Sequence, residues 1–418
     1  MGLTAAVAAL GMTVALAGCG SSGGSSDVTL TFVAADYDVA GGESSKKYWA
    51  DLAAAFEAEN PGIKIDVRIE SWNDVDRKVA EMVKADKAPD IAQIGAYADY
   101  AATGKLYTAD QLLSIPVQSN FLGPLVDAGE QKRVQYGLPF VASTRLLFYN
   151  KKLFKEAGIK GEPTTWEELR EDAEKLAQNT DVKYPFALPL GPEEAQAETM
   201  MWLLSGGDGY VDPVGRYAID STQNISTLEW VKTNLVEKEL TGPVAPGKLN
   251  RKDAFAAFTR GEVGMLNGHP SLMKAAAKAN IELGKVAMPG RTGKPKAAMG
   301  VADWIMGFKQ NGHKVEIGKF LDFVFDDKNV LDFAGQNDLL PVTISASEAM
   351  QKDPEHQDLK EFLQELPTSV LPPVGKTSWA AVSESVKQNI GKAVDPEGDP
   401  QTVLRQISQK ATTAENAE

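Results

Sequence analysis

The stretch from residue 28 to residue 94 constrains this chain most. Residues 28–34 read as a short apolar strand, and a helix follows with Trp49, Leu52, Ala53 and Phe56 at helical spacing. Asn60-Pro61-Gly62 stops that helix. Ile63, Ile65, Val67 and Ile69 then alternate with Lys64, Asp66, Arg68 and Glu70, the period of a strand with one covered face. A second helix carries Val75, Val79, Met82 and Val83 on one stripe, and Ala88-Pro89-Asp90 leads into a strand at 91–94. This strand–helix rhythm implies an α/β fold, a parallel or mixed sheet covered on both faces. Ligands of such sheets sit beyond the carboxyl ends of the strands. That rim holds Asp36 and Tyr37, then Ser71 and Trp72, then Gln93 to Tyr97. No Gly-x-Gly-x-x-Gly or Walker-type loop occupies these turns, so the rim is not read as a nucleotide site.

At 418 residues the chain exceeds one ordinary core, and two domains are the default. Two later stretches show how the halves connect. Residues 137–150 read Gly-Leu-Pro-Phe-Val-Ala-Ser-Thr-Arg-Leu-Leu-Phe-Tyr-Asn, an apolar strand broken by Ser143, Thr144 and Arg145. An arginine there either marks a register break facing bulk water or sits where a strand crosses between lobes and faces a wet cleft. Residues 299–306 repeat the pattern, with Asp303 beside Trp304 inside an apolar strand. No short-period repeat and no internal low-complexity linker occurs, so interleaved lobes fit better than two beads on a string.

Charge and composition exclude several classes. The net charge of −14 repels phosphate backbones, and no Lys/Arg cluster offsets it, which argues against nucleic acid. His269, His313 and His356 are far apart and Cys19 is the single cysteine, so neither a zinc signature nor a disulfide framework is present, and no cofactor is expected. Residues 3–17 form an apolar run too short to span a bilayer comfortably, the core of a signal peptide. It ends in Leu16-Ala17-Gly18-Cys19, which resembles the lipobox of bacterial lipoproteins, although no Lys/Arg precedes the run. Acylation of Cys19 and the Gly/Ser tether at 20–27 would then hold the protein outside the membrane by lipid alone.

Downstream, Thr165-Trp166-Glu167-Glu168 reads as a capping box, with Thr165 and Glu168 satisfying free amides reciprocally. Residues 186–190 form a strand, and Ala195-Gln196-Ala197-Glu198 begins a helix directly after it. Carboxylates suit a helix start whatever the function, but this one follows a strand, where a cleft would lie. Helices are expected near 222–236, 253–260, 315–325 and 328–334, the last capped by Gly335. Trp379 opens a further helix, followed by a polar tail.

Several short motifs, in order, resemble one family. They are Asn60-Pro61-Gly62-Ile63, Ala88-Pro89-Asp90-Ile91, Gly137-Leu138-Pro139, Phe148-Tyr149-Asn150, Thr165-Trp166-Glu167-Glu168-Leu169, Gly261-Glu262-Val263-Gly264-Met265 and Asn267-Gly268. With the lipobox, the mature chain resembles the extracellular solute-binding proteins of bacterial ABC sugar importers, maltose-binding-protein-like. The resemblance implies a two-lobe, type II periplasmic-binding-protein-like fold with two crossings between lobes. It implies a non-enzymatic, monomeric protein that closes on a di- or short oligosaccharide and hands it to permease subunits. The N-terminal lobe would take 28–141 and 300–341, and the C-terminal lobe 142–299 and 342–418. The extracellular face of a Gram-positive membrane is the implied location.

Carried over position by position, the resemblance points to Asp36, Tyr37, Trp72, Gln93 and Tyr97 on one wall. It points to Glu194, Gln196 and Glu198 as partners of sugar hydroxyls, to His269 after Asn267-Gly268, and to Trp304 and Trp379 as stacking rings. The maltose-binding protein has a carboxylate where Ser143 falls; with Thr144 beside it, Arg145 would supply polar contacts instead. Asp303 completes the set. Two other readings stay open: the same scaffold with a non-sugar solute, or an exported carbohydrate-active enzyme using Glu194 and Glu198. One helical turn separates that last pair, about 6 Å, which does not place them across a bond.

Overall fold

Apolar strands that alternate with helices settle into two sheets, and the chain visits them in interleaved order. The computed structural model describes residues 27–37, 44–72, 74–295 and 297–417; the leader, Cys19 and most of the tether lie outside these. The first sheet takes Val28–Ala35 (β1), Ile63–Glu70 (β2), Ile91–Ile94 (β3) and Leu138–Thr144 (β4). The second takes Leu146–Asn150 (β5), Tyr184–Ala187 (β6), Val263–Gly268 (β7) and Leu283–Val286 (β8), and Gly300–Gly307 (β9) returns to the first. Strand order is β2-β1-β3-β9-β4 in one sheet and β8-β5-β7-β6 in the other. β1 runs parallel to β2 and β3, while β9 is antiparallel to β3 and β4. The fold is thus α/β with two lobes, as the spacing predicts.

Helix α1, Ser44–Glu59, lays Trp49, Leu52 and Phe56 on one face of the first sheet and ends before Gly62, whose φ of 93° only glycine adopts freely. Trp49 meets Phe32 edge-on at 4.7 Å and stacks on Phe140 at 5.2 Å. Helix α2, Val75–Lys84, covers the opposite face with Val75, Val79 and Val83. In the second half, the helix Trp166–Asn179 starts as expected, with Thr165 Oγ1 accepting the Glu168 amide at 3.2 Å. Glu168, however, accepts from the amide of Thr164, at 2.7 Å, so the reciprocal bond lies one residue early.

The chain passes between the sheets three times rather than twice. Arg145 alone separates β4 from β5, and the segment after β8 leads back to β9. A third passage follows Thr368: the Val370 amide donates to Ala298 O and Val370 O accepts from Gly300 N, both at 2.9 Å. That third passage changes the expected partition. Helix Ile344–Lys352 packs on the helix Asp327–Asn337 and helix Lys360–Glu365 on β4, with Phe362 also meeting Phe148 of β5 at 6.0 Å, whereas the sequence reading put 342–418 in the second lobe.

Two smaller expectations also change. Gly335 does not cap its helix, which runs Asp327–Asn337 and stops where Asp338 turns left-handed at φ 52°. The polar tail is a helix, Pro400–Glu415, capped by the Asp399 carboxylate and burying Val403, Leu404, Ile407 and Ala411 against the second lobe.

Candidate functional site

At the carboxyl ends of β1, β2 and β3 a compact polar and aromatic group forms on the first lobe. Gln93, wholly buried, accepts the Ala35 amide at 3.0 Å and donates to the Tyr37 hydroxyl at 2.9 Å. That hydroxyl donates to Asp303 Oδ2 at 2.7 Å, and the Tyr37 ring meets Trp72 edge-on at 5.3 Å. Gln93 is therefore the bracket that aims Tyr37, not a wall residue itself. Loss of solvation pushes the Asp303 carboxyl up to about 6 and raises the Tyr37 phenol well above its usual range. Asp36 stands half-buried beside them, its amide bonded to Glu70 O at 2.8 Å.

Trp304 belongs to the core rather than to the wall; Tyr97, almost wholly buried beside it, also lines a cavity together with Trp379. Alternation along β9 sends Trp304 to the face covered by α2, where it is fully buried with Met306, while its neighbour Asp303 reaches the rim. The Tyr97 ring lies 5.3 Å from Trp304, and its hydroxyl donates to Ala128 O at 2.6 Å. Gly137 lets the two rings meet, since a Cβ there would stand 2.7 Å from Tyr97 and 3.0 Å from Trp304. Thr144 is likewise structural: buried in β4, it donates to Phe362 O at 3.2 Å.

The second group gathers where the chain enters the second lobe. Arg145, 8% exposed, donates from Nη2 to Glu194 Oε1 at 2.7 Å and makes a long 3.5 Å contact to Ser143 Oγ. Arg251, at the start of the helix Arg251–Thr259, pairs with Glu194 and donates to Glu193 Oε1 at 2.9 Å. It also donates to His269 Nε2 at 3.1 Å. Arginine cannot accept, so His269 carries its proton on Nδ1 and donates to Ser271 Oγ at 2.9 Å. Burial and the two guanidinium groups hold that imidazole well below its usual range, hence neutral.

Glu198, on the helix Ala195–Ser205, is 4% exposed and accepts at Oε1 from Asn267 Nδ2 at 2.9 Å and Trp202 Nε1 at 3.0 Å. Burial pushes its carboxyl up to about 8. The Arg145 charge bears on Asp303, Glu198 and His269, for the two carboxyls as the smallest of the influences upon them.

A cavity of about 350 Å³ opens between the first lobe and the segment around residues 374–380. Asp76, Gly95, Ala96 and Tyr100 line one side, and Lys376 and Trp379 the other. Trp379 is half-buried, its ring 5.1 Å from Tyr210, whose hydroxyl donates to Gln196 O at 2.8 Å. The Gln196 side-chain oxygen is buried without a partner.

Among the expected residues, the structure thus brings together Tyr37, Trp72 and Asp303 on one wall. It gathers Arg145, Glu194, Glu198 and His269 at the crossover, and sets Trp379 across a cavity. Missed were Asp76, Glu193, Arg251 and Asn267. Asn267 stood in a recognised motif, and Asp76 lies in the helical turn after Trp72; Arg251 and Glu193 carried no local signal. Among the described residues no set of three or more His, Cys, Asp or Glu side chains is placed to hold a metal, and no helix is long and apolar enough to cross a membrane.

The fold has known counterparts. A crystal structure of a cyclic α-maltosyl-1,6-maltose binding protein from Arthrobacter globiformis shares it, at TM-score 0.78 and 18% identity over 94% of this chain and 100% of that one. A binding protein of Brucella abortus (strain 2308) is 26% identical over 87% of this chain and 89% of its own. The diacetylchitobiose binding protein DasA of Streptomyces coelicolor is 30% identical over 45% of each chain. The pattern described as bacterial extracellular solute-binding protein matches residues 40–330, and this chain belongs to that family.

Proposed function

We propose that this protein is the capture component of an ABC carbohydrate importer, closing its two lobes on a di- or short oligosaccharide and presenting it to the permease subunits. One observation carries the reading: a hydrogen-bonding network gathers at the crossover where a single residue, Arg145, joins the sheets, and aromatic rings stand at the strand ends of the first lobe and across the neighbouring cavity. Trp72, Tyr37 and Trp379 offer planar faces to the C–H surfaces of sugar rings. Glu194, Glu198, Gln196, Asp303 and Arg145 offer donors and acceptors to hydroxyls. Contacts to both walls form together only when the lobes approach, so ligand favours the shut state. We place the lobes at 28–144 with 300–369, and 145–299 with 370–418.

In this reading the protein is monomeric and catalyses nothing: Glu194 and Glu198 lie one helical turn apart, and Glu194 is tied up in ion pairs with Arg145 and Arg251. It is held at the extracellular face of a Gram-positive membrane by acylation at Cys19 after removal of residues 1–18. An anionic solute is disfavoured, because Arg145 and Arg251 are already matched by Glu193 and Glu194. Calorimetric titration with maltose, cellobiose, mannobiose, diacetylchitobiose and arabinobiose tests the reading. Binding of at least one, weakened in Trp379→Ala and without product formation, supports it; no heat from any member of the panel overturns it. Loss of labelled palmitate from Cys19→Ser in a bacterial host tests the anchor.

A further inference from the structure

The Asn267 side chain holds an unusual position. It is 3% exposed, its Nδ2 is used by Glu198, and its Oδ1 has no hydrogen-bond partner. The orientation is not arbitrary. The indole N–H of Trp202 can only donate, so the Glu198 Oε1 it contacts is an acceptor, and the Asn267 group facing that same oxygen must be its NH2. Asn267 Oδ1 is thereby left without a donor, and Asn267 and Glu198 both line a small recess together with Arg145, Glu194, Arg251 and His269. The free space is about 10 Å³, room for one water-sized group and not for a ring. A buried acceptor without a donor costs about 1–3 kcal/mol, and a bound group that donates would recover it.

We infer that Asn267 and Glu198 form a single-hydroxyl subsite, in which one ligand hydroxyl donates to Asn267 Oδ1 and accepts from a protonated Glu198 at Oε2. This rests on the carbohydrate reading above and deepens it: Glu198 acts as a hydroxyl donor, and the sugar must carry a free hydroxyl at this position. With Oε1 occupied by two donors, a proton on Glu198 has only Oε2 to occupy. The groups around it pull both ways: the Asn267 and Trp202 hydrogen bonds and the Arg145 charge favour ionisation, Glu194 on its own helix opposes it, Arg251 is taken by Glu193 and Glu194, and His269 is neutral; burial outweighs the groups that favour it. A deoxygenated or O-methylated sugar leaves the acceptor bare or does not fit.

The test compares Glu198→Gln with Glu198→Ala, using whichever disaccharide of the panel binds the wild type. Gln keeps the shape, accepts from Trp202 and Asn267 and still donates, so E198Q retains affinity within about threefold, whereas E198A loses about tenfold or more. Wild-type Kd rises about tenfold per pH unit above about 8, and E198Q abolishes that rise. Equal losses in both variants, or the same alkaline rise in E198Q, overturn the proposal. An infrared arm needs no sugar: isotope-labelled glutamate in the free protein shows a protonated-carboxyl band near neutral pH that disappears at alkaline pH and is absent from E198Q. If no sugar in the panel binds, the importer reading fails, and this arm alone decides whether Glu198 is the neutral donor. Absence of the band refutes the subsite; its presence sustains it.

Discussion

Asp303→Asn should make the ligand-free protein more stable at neutral pH, although it alters the candidate site. Asp303 is half-buried beside Tyr37, whose hydroxyl donates to it, and desolvation pushes its carboxyl up to about 6 against an ordinary 3.8. Folding at pH 7.5 therefore draws an already ionised group out of water, at a cost of ~3 kcal/mol, about 1.4 kcal/mol for each of roughly two pH units. The sign follows from the raised value. Below the unfolded value both states are protonated and there is no cost; as pH rises from about 4 through 6 the folded state loses that advantage. Asparagine keeps an oxygen for the Tyr37 hydroxyl and carries no charge. Urea unfolding followed by tryptophan fluorescence should show D303N ahead of wild type by ~1–3 kcal/mol at pH 7.5 and by less than ~1 kcal/mol at pH 4. A variant less stable than wild type at pH 7.5, or a gain that does not change with pH, refutes the burial argument. D303N should also bind sugar more weakly, since a charge-assisted acceptor becomes a neutral one.

Trp304→Ala should cost about 3–5 kcal/mol of stability, read by thermal unfolding, because it empties a packed core site; refolded to the same concentration of native protein, it should bind sugar like wild type. Trp379→Ala should show the opposite pattern, weakening affinity about tenfold to a hundredfold by calorimetry with a smaller stability loss, since the ring is half-exposed to the cavity. Gly375→Ala should separate the third passage from the first lobe, because a Cβ there would stand 2.3 Å from Glu130 O and 2.9 Å from the Tyr97 hydroxyl. We expect ~1–3 kcal/mol of destabilisation and a larger radius of gyration in small-angle scattering of the free protein.

Much of the fold could be read from the chain because local chemistry and tertiary placement agree. The alternation at 63–70 became an edge strand with outward charges, and Asn60-Pro61-Gly62 stopped α1 where it must. Trp304 and Trp379 show where reading fails. Both are tryptophans beside polar residues, but Trp304 falls on the side of β9 covered by α2 and becomes core, whereas Trp379 opens a helix beside the cavity. The tail misled for a related reason: Val403, Leu404, Ile407 and Ala411 form a sparse stripe among polar residues, whose capping Asp399 and receiving surface are visible only after folding. Arg251 and Glu193 were invisible because their pairing spans 58 positions and neither sits in a motif.

Arg145 explains why the crossover takes this form. A residue between two sheets has no ladder neighbour on either side, so its side chain must supply the order that the backbone lacks. Arginine does this with a planar fork: one arm reaches Ser143 on β4 and the other reaches Glu194 at the start of the helix in the second lobe. The same charge bears on Asp303, which burial makes reluctant to ionise, and on Glu198, which burial keeps neutral. A sugar entering this gap meets a cation already matched by Glu194, a neutral acid at Glu198 and a carboxylate at Asp303, an array of donors and acceptors whose cation is already paired. Hydroxyls can exchange into such a network at small cost, whereas a charged solute would have to break an ion pair first. The polarity that made residues 143–145 look out of place in a strand is thus the chemistry by which the two lobes can close on a neutral, hydroxyl-rich ligand.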